Sequence, residues 1–299
     1  MGALSLYWWK GDGLMTQPAR YSVVLLWIAI VLLSSMGAAQ PAPSFAALAR
    51  WKAAVISPKS SALKELYSTD PAPRIAVEGK RETEISPAEE VEFWKGMKPT
   101  QLSLKVANSS TPQPGIQQVT FQATVRTAPP GRTLYVIESQ LWQQQAEGWK
   151  LVAIQRTDAF KLEQPMSLDA KLYPPASQAH GEITHALAEA TKTHKRVLVI
   201  FGADWCYDCH VLDRALQRPD IAPTLKRNYE VVHIDVGQGD KNQDLMNEYQ
   251  VPMKRGIPAM AVLSPSGQLL YSQKNGEFER ARALGPEDLM EFLNKWKSP

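Results

Sequence analysis

The sequence RVLVIFGADWCYDCH, residues 196–210, carries the strongest structural signal in the chain. Its first part, residues 196–201, is a continuous apolar run, which is typical of a strand buried on both faces of a sheet. The apolar spacing after this run predicts a helix from Cys206 to about Leu216. A buried strand therefore leads directly to a cysteine pair at the start of a helix.

Cys206 and Cys209 are the candidate catalytic residues. At the first turn of a helix, a cysteine faces unpaired backbone N–H groups and the positive end of the helix dipole, which stabilise the nucleophilic thiolate. The second cysteine lies about one turn away on the same face, so the two sulfurs can form a small disulfide. Thiol–disulfide exchange requires this arrangement: Cys206 attacks a partner disulfide, and Cys209 resolves the mixed intermediate. The role also requires a Cys206 sulfur that other molecules can reach.

Three other interpretations of the cysteine pair stay open at this stage. A C-x-x-C sequence can form half of a zinc site, although the chain has no second pair. Residues 206–210 also match the C-x-x-C-H signature of haem c attachment, although a buried strand before the motif does not suit a small helical cytochrome. The third is a purely structural disulfide, but so short a loop constrains the unfolded chain little. We favour exchange chemistry and expect neither a metal nor a cofactor.

Helices and strands alternate through residues 178–299, the predicted C-terminal domain. Their order, αβαβαββα, implies an α/β fold with a mixed sheet and helices on both faces. Besides the strand and helix already described, the predicted helices are 181–192, 240–249 and 286–297, and the predicted strands are 229–236, 259–263 and 269–272.

This C-terminal part resembles the thioredoxin superfamily in two motifs. The first is W-C-x-x-C after a buried strand, and the second is Gly256-Ile257-Pro258, which leads into a later strand. The resemblance implies that the Ile257–Pro258 bond is cis and lies against the reactive disulfide, and that Ile257 offers backbone groups to an extended client strand. The expected surroundings of the two cysteines are Trp205, Tyr207, Asp208, His210, Ile257 and Pro258.

Two positions depart from the pattern of that superfamily. Ile200 stands where thioredoxins usually carry a buried aspartate, and Val231 stands where a lysine commonly pairs with it. Both are apolar together, which is coherent because a lone buried charge is costly. Proton transfer from Cys209 is left without its usual acceptor, and our hypothesis is that Asp208 or water takes this role. Asp208 disfavours the thiolate and a protonated His210 favours it, so the sequence predicts no redox potential.

Residues 44–161 form a predicted α+β unit. A helix is predicted at 45–55, and Ser86 with Glu89 forms a capping box for a second helix. This order, with the closing strand GWKLVA at 148–153, resembles the NTF2-like (SnoaL-like) superfamily, in which helices close over a curved sheet to form a cone. The predicted strands are 102–107, 119–125, 132–145 and 149–156.

The resemblance to the NTF2-like superfamily leaves the role of this unit open. Some members are isomerases or hydratases with a carboxylate or histidine base inside the cone, but residues 44–161 contain no histidine. We expect a docking or dimerising module, and whether the cone binds a small ligand stays open. The carboxylates expected to be solvated surface charges are Glu78, Glu82, Glu84, Glu89, Glu90 and Glu92.

Residues 1–39 have the parts of a secretory signal. Basic residues precede an apolar run at 23–33, and small residues before the polar break fit cleavage after Ala39. The run is short for a membrane span, which needs about 20 residues, but an uncleaved anchor stays open. Met15 gives a tidier signal than Met1, and the sequence does not choose between them. We expect the bulk of the chain to be exported to the periplasm, either free or tethered to the inner membrane.

Length and composition are those of a two-domain globular protein. The chain has 299 residues, 44% of them apolar, and a net charge of +3, which gives no reason to expect a nucleic-acid partner. Its 2 cysteines exclude a disulfide-stapled scaffold and a four-cysteine zinc site. The predicted division is a signal peptide or anchor at 1–39, an NTF2-like domain at 44–161, a proline-containing linker at 162–177 and a thioredoxin-like domain at 178–299.

The sequence therefore predicts an exported thiol–disulfide oxidoreductase that serves cell redox homeostasis. Its expected partners are protein disulfides as substrates and a membrane electron donor, since an exported dithiol otherwise stays oxidised. Whether it acts as reductase, oxidase or isomerase stays open. The alternative is a partner-binding or redox-sensing module without turnover, in which the cone serves for docking or for homodimerisation.

Overall fold

The computed structural model of the protein describes residues 45–78 and 84–298, which belong to one compact unit built on two β-sheets. The expected signal or anchor at 1–39 lies outside the described residues. Within the two described stretches, no helix is both long enough and apolar enough to span a membrane.

The first sheet has five strands in the order β1-β5-β4-β3-β2. Strands β1 and β5 are parallel, and the other neighbouring pairs are antiparallel. The elements of this part are α1 (Ala46–Ile56), α2 (Ser60–Lys64), β1 (Arg74–Val77), α3 (Pro87–Gly96), β2 (Pro99–Gln113), β3 (Ile116–Thr127), β4 (Thr133–Gln145) and β5 (Gly148–Arg156).

The three helices cover an aromatic core on one face of this sheet. Alternate residues of β3 turn inward, and among them Phe121 meets Trp51 of α1 and, through it, Trp94 of α3. The capping box of α3 is present, because the Glu89 N–H donates to Ser86 Oγ and the Ser86 N–H donates to Glu89 Oε2. Helices followed by a meander of long strands, closed over one core, confirm the predicted α+β arrangement.

One expectation for this part is wrong. Glu90 is not a solvated charge: it is 0% exposed, because it lies on the face of α3 that turns towards the sheet, where Arg156 of β5 pairs with it. Elements α2 and β1 have no counterpart in the sequence prediction, since each is too short for a clear period. Glu82 lies outside the described residues, and the exposed members of the set are Glu78, Glu84, Glu89 and Glu92.

The second sheet has four strands in the order β7-β6-β8-β9. Strands β6 and β7 are parallel, while β8 is antiparallel to both β6 and β9. The elements of this part are α4 (Ala179–Thr193), β6 (Arg196–Gly202), α5 (Tyr207–Leu216), α6 (Ala222–Asn228), β7 (Tyr229–Asp235), α7 (Gln243–Glu248), β8 (Ala259–Leu263), β9 (Leu269–Ser272) and α8 (Pro286–Trp296).

Strand β6 is buried on both faces, as its apolar run predicts. Val197, Val199 and Phe201 face the core shared with α4 and α7. Leu198 and Ile200 face the core shared with α5 and α8. The mixed sheet with helices on both faces is therefore confirmed. The cysteine pair follows directly after the C-terminal end of β6.

The segment predicted as a linker, residues 162–177, packs against the protein. Leu162 is fully buried in the core beneath α5 and α8. The Gln164 backbone N–H donates to Gln122 Oε1 of β3 at 3.0 Å, and the Tyr207 hydroxyl of α5 donates to Gln164 Oε1 at 3.1 Å. This segment thus ties the first sheet to the beginning of α5, beside the cysteine pair.

Candidate active site

A disulfide joins Cys206 and Cys209 at the N-terminus of α5, with 5.2 Å between their Cα atoms. Cys206 is the N-cap residue, and its Sγ accepts a hydrogen bond from the Cys209 backbone N–H at 3.1 Å. The sulfur therefore lies where backbone N–H groups and the helix dipole favour negative charge. After reduction, this position favours the thiolate form of Cys206.

The loop before β8 lies directly against the disulfide. The Ile257–Pro258 peptide bond is cis, as expected, and the Ile257 carbonyl oxygen is 3.7 Å from Cys206 Sγ. The Pro258 carbonyl oxygen accepts a hydrogen bond from Gln273 Nε2 at 3.1 Å, which fixes this loop to the segment directly after β9. Two motifs that are distant in sequence thus form one site.

Access to the disulfide differs from the expectation, because Cys206 is only 4% exposed. The cause is a short segment before α4, residues 171–173, which we call the strap. Tyr173 of the strap forms one cluster with both cysteines, and Leu172 of the strap and Ile257 pack against this cluster. The Cys206 sulfur is therefore covered by a peripheral segment and lies outside the two main cores of the sheet.

Asp204, on the loop between β6 and α5, fastens the strap. Its Oδ1 accepts hydrogen bonds from the backbone N–H groups of Leu172 at 2.9 Å and Tyr173 at 3.2 Å, and its Oδ2 lies 3.4 Å from Lys171 Nζ. Burial raises the pKa of Asp204, but these contacts outweigh it and hold that pKa below its ordinary value. The strap is thus held mainly through its backbone, as an extended peptide would be.

Tyr173 fills the space between α5 and the second sheet. A Cβ atom on Gly202 would lie 2.1 Å from the Tyr173 hydroxyl oxygen and 2.8 Å from Cys209 Sγ, so these two atoms converge on the glycine. The Tyr173 ring packs edge to face on His233, which is the β7 register partner of Ile200. Burial raises the pKa of Tyr173 and lowers that of His233. The Tyr173 phenol therefore keeps its proton and the His233 imidazole is neutral at neutral pH. His233 lies beside Ile200, the position at which thioredoxins usually carry a buried aspartate.

The other predicted surroundings of the cysteines have separate roles. Trp205 is exposed, and its Nε1 donates to the Gly237 carbonyl oxygen at 2.9 Å. His210 is buried, with Nε2 at 2.7 Å from the Asp204 carbonyl oxygen, so this nitrogen carries a proton and braces the loop before α5. Tyr207 packs at the junction with the first sheet, and burial raises its pKa to about 12.

Asp208, between the two cysteines, is held by Arg282, a residue that the sequence did not reveal. The Arg282 backbone N–H and Nε donate to Asp208 Oδ1 at 2.8 and 3.0 Å, and Nη2 donates to Oδ2 at 2.6 Å. The guanidinium also lies over the Tyr207 ring, 4.5 Å from its centroid. Both carboxylate oxygens are engaged, which argues against Asp208 as the acceptor of the Cys209 proton. No local pattern could identify Arg282, which is 74 residues away.

A second polar cluster is buried in the core of the first sheet. Arg156 Nε donates to Glu90 Oε2 at 2.6 Å. Glu138 of β4, which the sequence analysis did not single out, is fully buried and accepts a hydrogen bond from Gln140 Nε2. Burial raises the pKa of both glutamates, and Arg156 opposes this shift. The alternation of β4 places Glu138 on the same face as Val136, which is the signal that could have found it.

The Cys206–Cys209 pair is present as a disulfide, which is the form that can accept electrons. Among residues 45–78 and 84–298, no group of three or more His, Cys, Asp or Glu side chains is arranged to hold a metal ion. Reduction of the disulfide takes up two electrons and two protons and gives two thiols, which is half of an exchange reaction.

Comparisons with known proteins agree with this geometry. A sequence profile described as thioredoxin-like matches residues 178–265. Thioredoxin of Buchnera aphidicola is 32% identical over 103 residues, which cover 34% of this chain and 80% of that protein. Thiol:disulfide interchange protein DsbD 2 of Pseudomonas aeruginosa is 29% identical over 121 residues, or 40% of this chain. That match covers 18% of the relative, so the chain spans less than a fifth of its length.

Two solved structures are similar to different parts of the chain. Disulphide isomerase from Xylella fastidiosa is 34% identical, with a TM-score of 0.40, and the match covers 44% of this chain and 98% of that one. A putative dehydratase from the NTF2-like family of Streptomyces avermitilis is 12% identical, with a TM-score of 0.32, and covers 38% of this chain and 91% of its own. Given the match to a thioredoxin over four-fifths of its length, the chain belongs to the thioredoxin family.

Proposed function

We propose that the protein is an exported thiol–disulfide oxidoreductase that exchanges disulfides with protein clients through Cys206 and Cys209. The observation that carries the proposal is the environment of the Cys206 sulfur, which caps α5 and lies 3.7 Å from the carbonyl oxygen of Ile257. The helix terminus favours the nucleophilic thiolate. The loop before Pro258 offers backbone groups to an extended client beside that sulfur.

In the reductive direction, the reaction takes two steps. The Cys206 thiolate attacks one client sulfur and forms a mixed disulfide, and the other client sulfur leaves as a thiolate that takes a proton from solvent. Cys209 then loses its proton to solvent and attacks Cys206 Sγ, which releases the second client sulfur. The client gains two electrons, and the protein ends with the Cys206–Cys209 disulfide.

We assign the protein to the reduction or isomerisation of client disulfides, with a membrane protein as electron donor. An exported dithiol stays oxidised unless electrons are supplied to it. Export to the periplasm, with or without a tether, follows from the signal-like pattern of residues 1–39. The thiol:disulfide interchange named for the Pseudomonas relative supports the chemistry.

The enzyme assignment is tested by the reduction of insulin with dithiothreitol, followed as turbidity. We expect the wild-type protein to accelerate precipitation, and Cys206→Ser to leave the uncatalysed rate. Equal rates for wild type and Cys206→Ser would remove the enzyme assignment.

Clients are identified by trapping with Cys209→Ser, which lacks the resolving thiol. We expect mixed disulfides with exported proteins that disappear on addition of reductant. The matched control is Cys206→Ser, which keeps one cysteine but lacks the nucleophile, and it is expected to trap nothing.

The strap favours a second candidate function, a redox-sensing module without turnover. Leu172 and Tyr173 pack on the disulfide and lie on the segment that ties the two sheets together, so a change at the cysteines reaches the first sheet through them. A sensor would exchange once with a partner, give no catalysis in the insulin assay, and bind its partner differently in its oxidised and reduced forms.

A further inference from the structure

Arg282 lies outside the cysteine motif, in a short 3-10 helix at residues 281–283, yet it clamps the residue between the two cysteines. Its backbone N–H, Nε and Nη2 reach both carboxylate oxygens of Asp208, which is buried. A guanidinium that binds a carboxylate with two nitrogens fixes the orientation of the group as well as its charge. The pair therefore joins the first turn of α5 to the segment between β9 and α8.

The charge on Asp208 has two opposite effects. In the first turn of α5 it stabilises the helix, because a negative charge there complements the helix dipole. It lies two residues after Cys206, however, where a like charge disfavours the thiolate. Arg282 brings a permanent positive charge to the same place.

The other titratable groups around the cysteines belong to different contacts. Asp204 holds the strap, and His210 donates to a backbone carbonyl. Their arrangement does not depend on the Asp208–Arg282 pair, so a comparison of variants at these two positions leaves them in place. Besides the Asp208–Arg282 pair, the titratable groups that face the site are Asp204 on the loop before α5, His210 and Asp213 on α5, Lys171 and Tyr173 on the strap, His233 and Asp235 on β7, Glu78 after β1 and Glu279 beside the loop of Ile257.

We propose that Arg282 is a positioning residue for the exchange reaction: by holding Asp208 in a two-pronged ion pair, it offsets the carboxylate charge and lets Cys206 ionise at lower pH. The inference rests on the proposed function, since it names a residue that tunes the same nucleophile. It also explains why an acidic residue is tolerated between the two cysteines.

The test uses the full chain with Cys209→Ser, in which Cys206 is the remaining thiol because the sequence has 2 cysteines. The rate of alkylation by iodoacetamide is measured against pH, and the midpoint of the profile reports the ionisation of Cys206. We expect Arg282→Met to raise this midpoint by about one pH unit. Asp208→Asn is expected to lower it, and the double variant to return close to the parent.

The strap alters the height of the alkylation profile but not its midpoint, because it limits access equally at every pH. Arg282→Lys keeps the positive charge and loses the two-pronged pairing, so we expect it to recover about half of the shift. An unmoved midpoint in Arg282→Met overturns the proposal, whether or not the variant melts at a lower temperature. The proposal is also overturned if Arg282→Met raises the midpoint by the same amount in a protein that carries Asp208→Asn, because Arg282 would then act without Asp208.

The alkylation profile needs no client, which separates this inference from the proposed function. If wild-type protein fails to catalyse insulin reduction while Arg282→Met shifts the profile, the enzyme assignment fails and the effect of Arg282 on the thiol stands. If wild-type protein catalyses insulin reduction and the midpoint of Arg282→Met does not move, the proposed role of Arg282 is wrong and the enzyme assignment stands.

Discussion

The backbone N–H of Leu172 donates a hydrogen bond to Oδ1 of Asp204 at 2.9 Å, two residues before the first cysteine of the disulfide. With the neighbouring bond from Tyr173, it fastens the chain between the two sheets over Cys206. A protein that approaches this sulfur meets the strap first. We therefore expect the strength of this contact to limit the rate at which the disulfide exchanges, in either direction.

Replacement of Asp204 by alanine is expected to speed the reduction of the disulfide. The substitution removes the acceptor of two backbone hydrogen bonds, and a hydrogen bond to a charged group contributes about 1.5–3 kcal/mol. Loss of this contribution raises the population of the open strap about tenfold or more. The measurement is the rate of reduction by excess dithiothreitol, followed by quenching with an alkylating reagent and counting modified thiols.

Two further variants separate the anchoring of the strap from the charge of Asp204. Asp204→Asn keeps an oxygen acceptor and removes the charge, so its rate is expected to rise less. Lys171→Ala removes an ion pair whose lysine side chain is 81% exposed, and such pairs contribute less than about 1 kcal/mol. If Asp204→Ala reduces no faster than Lys171→Ala, the strap is not held by Asp204.

Short stretches of sequence were enough to predict the centre of the site. The buried strand at 196–201 and the cysteine pair at the start of α5 follow from a few adjacent residues, whereas the cis bond before Pro258 was implied by the resemblance to the thioredoxin superfamily. The strand and the helix start are local features, because hydrophobic periodicity and helix capping act over a turn or two of chain.

The residues that cover and tune the site could not be predicted in the same way. Tyr173 reaches Cys209 and Arg282 reaches Asp208 only because the fold brings distant segments together. Glu90 was assigned to the surface because acidic residues are mostly exposed, and its burial depends on Arg156, 66 residues later, as a partner. A single sequence does not reveal which surfaces will meet.

Gly202→Ala is expected to destabilise the protein by about 1–3 kcal/mol, the usual range for over-packing. Its Cβ would lie 2.1 Å from the Tyr173 hydroxyl oxygen and 2.8 Å from Cys209 Sγ. Tyr173→Ala in the same chain removes the first of these clashes, so the two substitutions together should cost less than their sum. Urea unfolding of the single and double variants measures this coupling.

The matched control for this substitution is Gly181→Ala in α4, where a Cβ meets nothing within 4 Å. Alanine has the higher helix propensity, so a gain of about 0.5–1 kcal/mol is expected there. Strict additivity of Gly202→Ala and Tyr173→Ala would show that the two side chains do not compete for the same space.

Arg156→Met is expected to destabilise the first sheet by about 3–5 kcal/mol, because it leaves Glu90 as a buried charge without its partner. The Arg156 side chain is 4% exposed, so solvent cannot replace the lost contact. Arg74→Met is the control, since it breaks an Arg–Glu pair whose arginine is 82% exposed and should cost less than about 1 kcal/mol. If urea unfolding at neutral pH shows that the two variants lose similar amounts of unfolding free energy, the buried pairing of Arg156 with Glu90 is contradicted.

The stability of the first sheet is expected to fall as pH rises above 4.5, the ordinary pKa of a glutamate. Burial and the charge of Glu90 raise the pKa of Glu138 well above that value. Between the two values the folded protein binds more protons than the unfolded chain, so the free energy of unfolding decreases with pH by up to about 1.4 kcal/mol per unit. Below 4.5 both states are protonated, and this contribution to the slope vanishes.

Glu138→Gln tests this dependence, because glutamine does not titrate and keeps an oxygen for the hydrogen bond from Gln140. The unfolding free energy of this variant is expected to depend less on pH than that of the wild type. The difference in stability in favour of the variant should be largest at the alkaline end of the range. Glu147→Gln, at an exposed turn between β4 and β5, should keep the wild-type slope. If Glu138→Gln and wild type run parallel from pH 5 to 8, about the range in which a buried carboxyl titrates, then Glu138 is ionised in the folded protein and the cluster must neutralise two carboxylates with Arg156 alone.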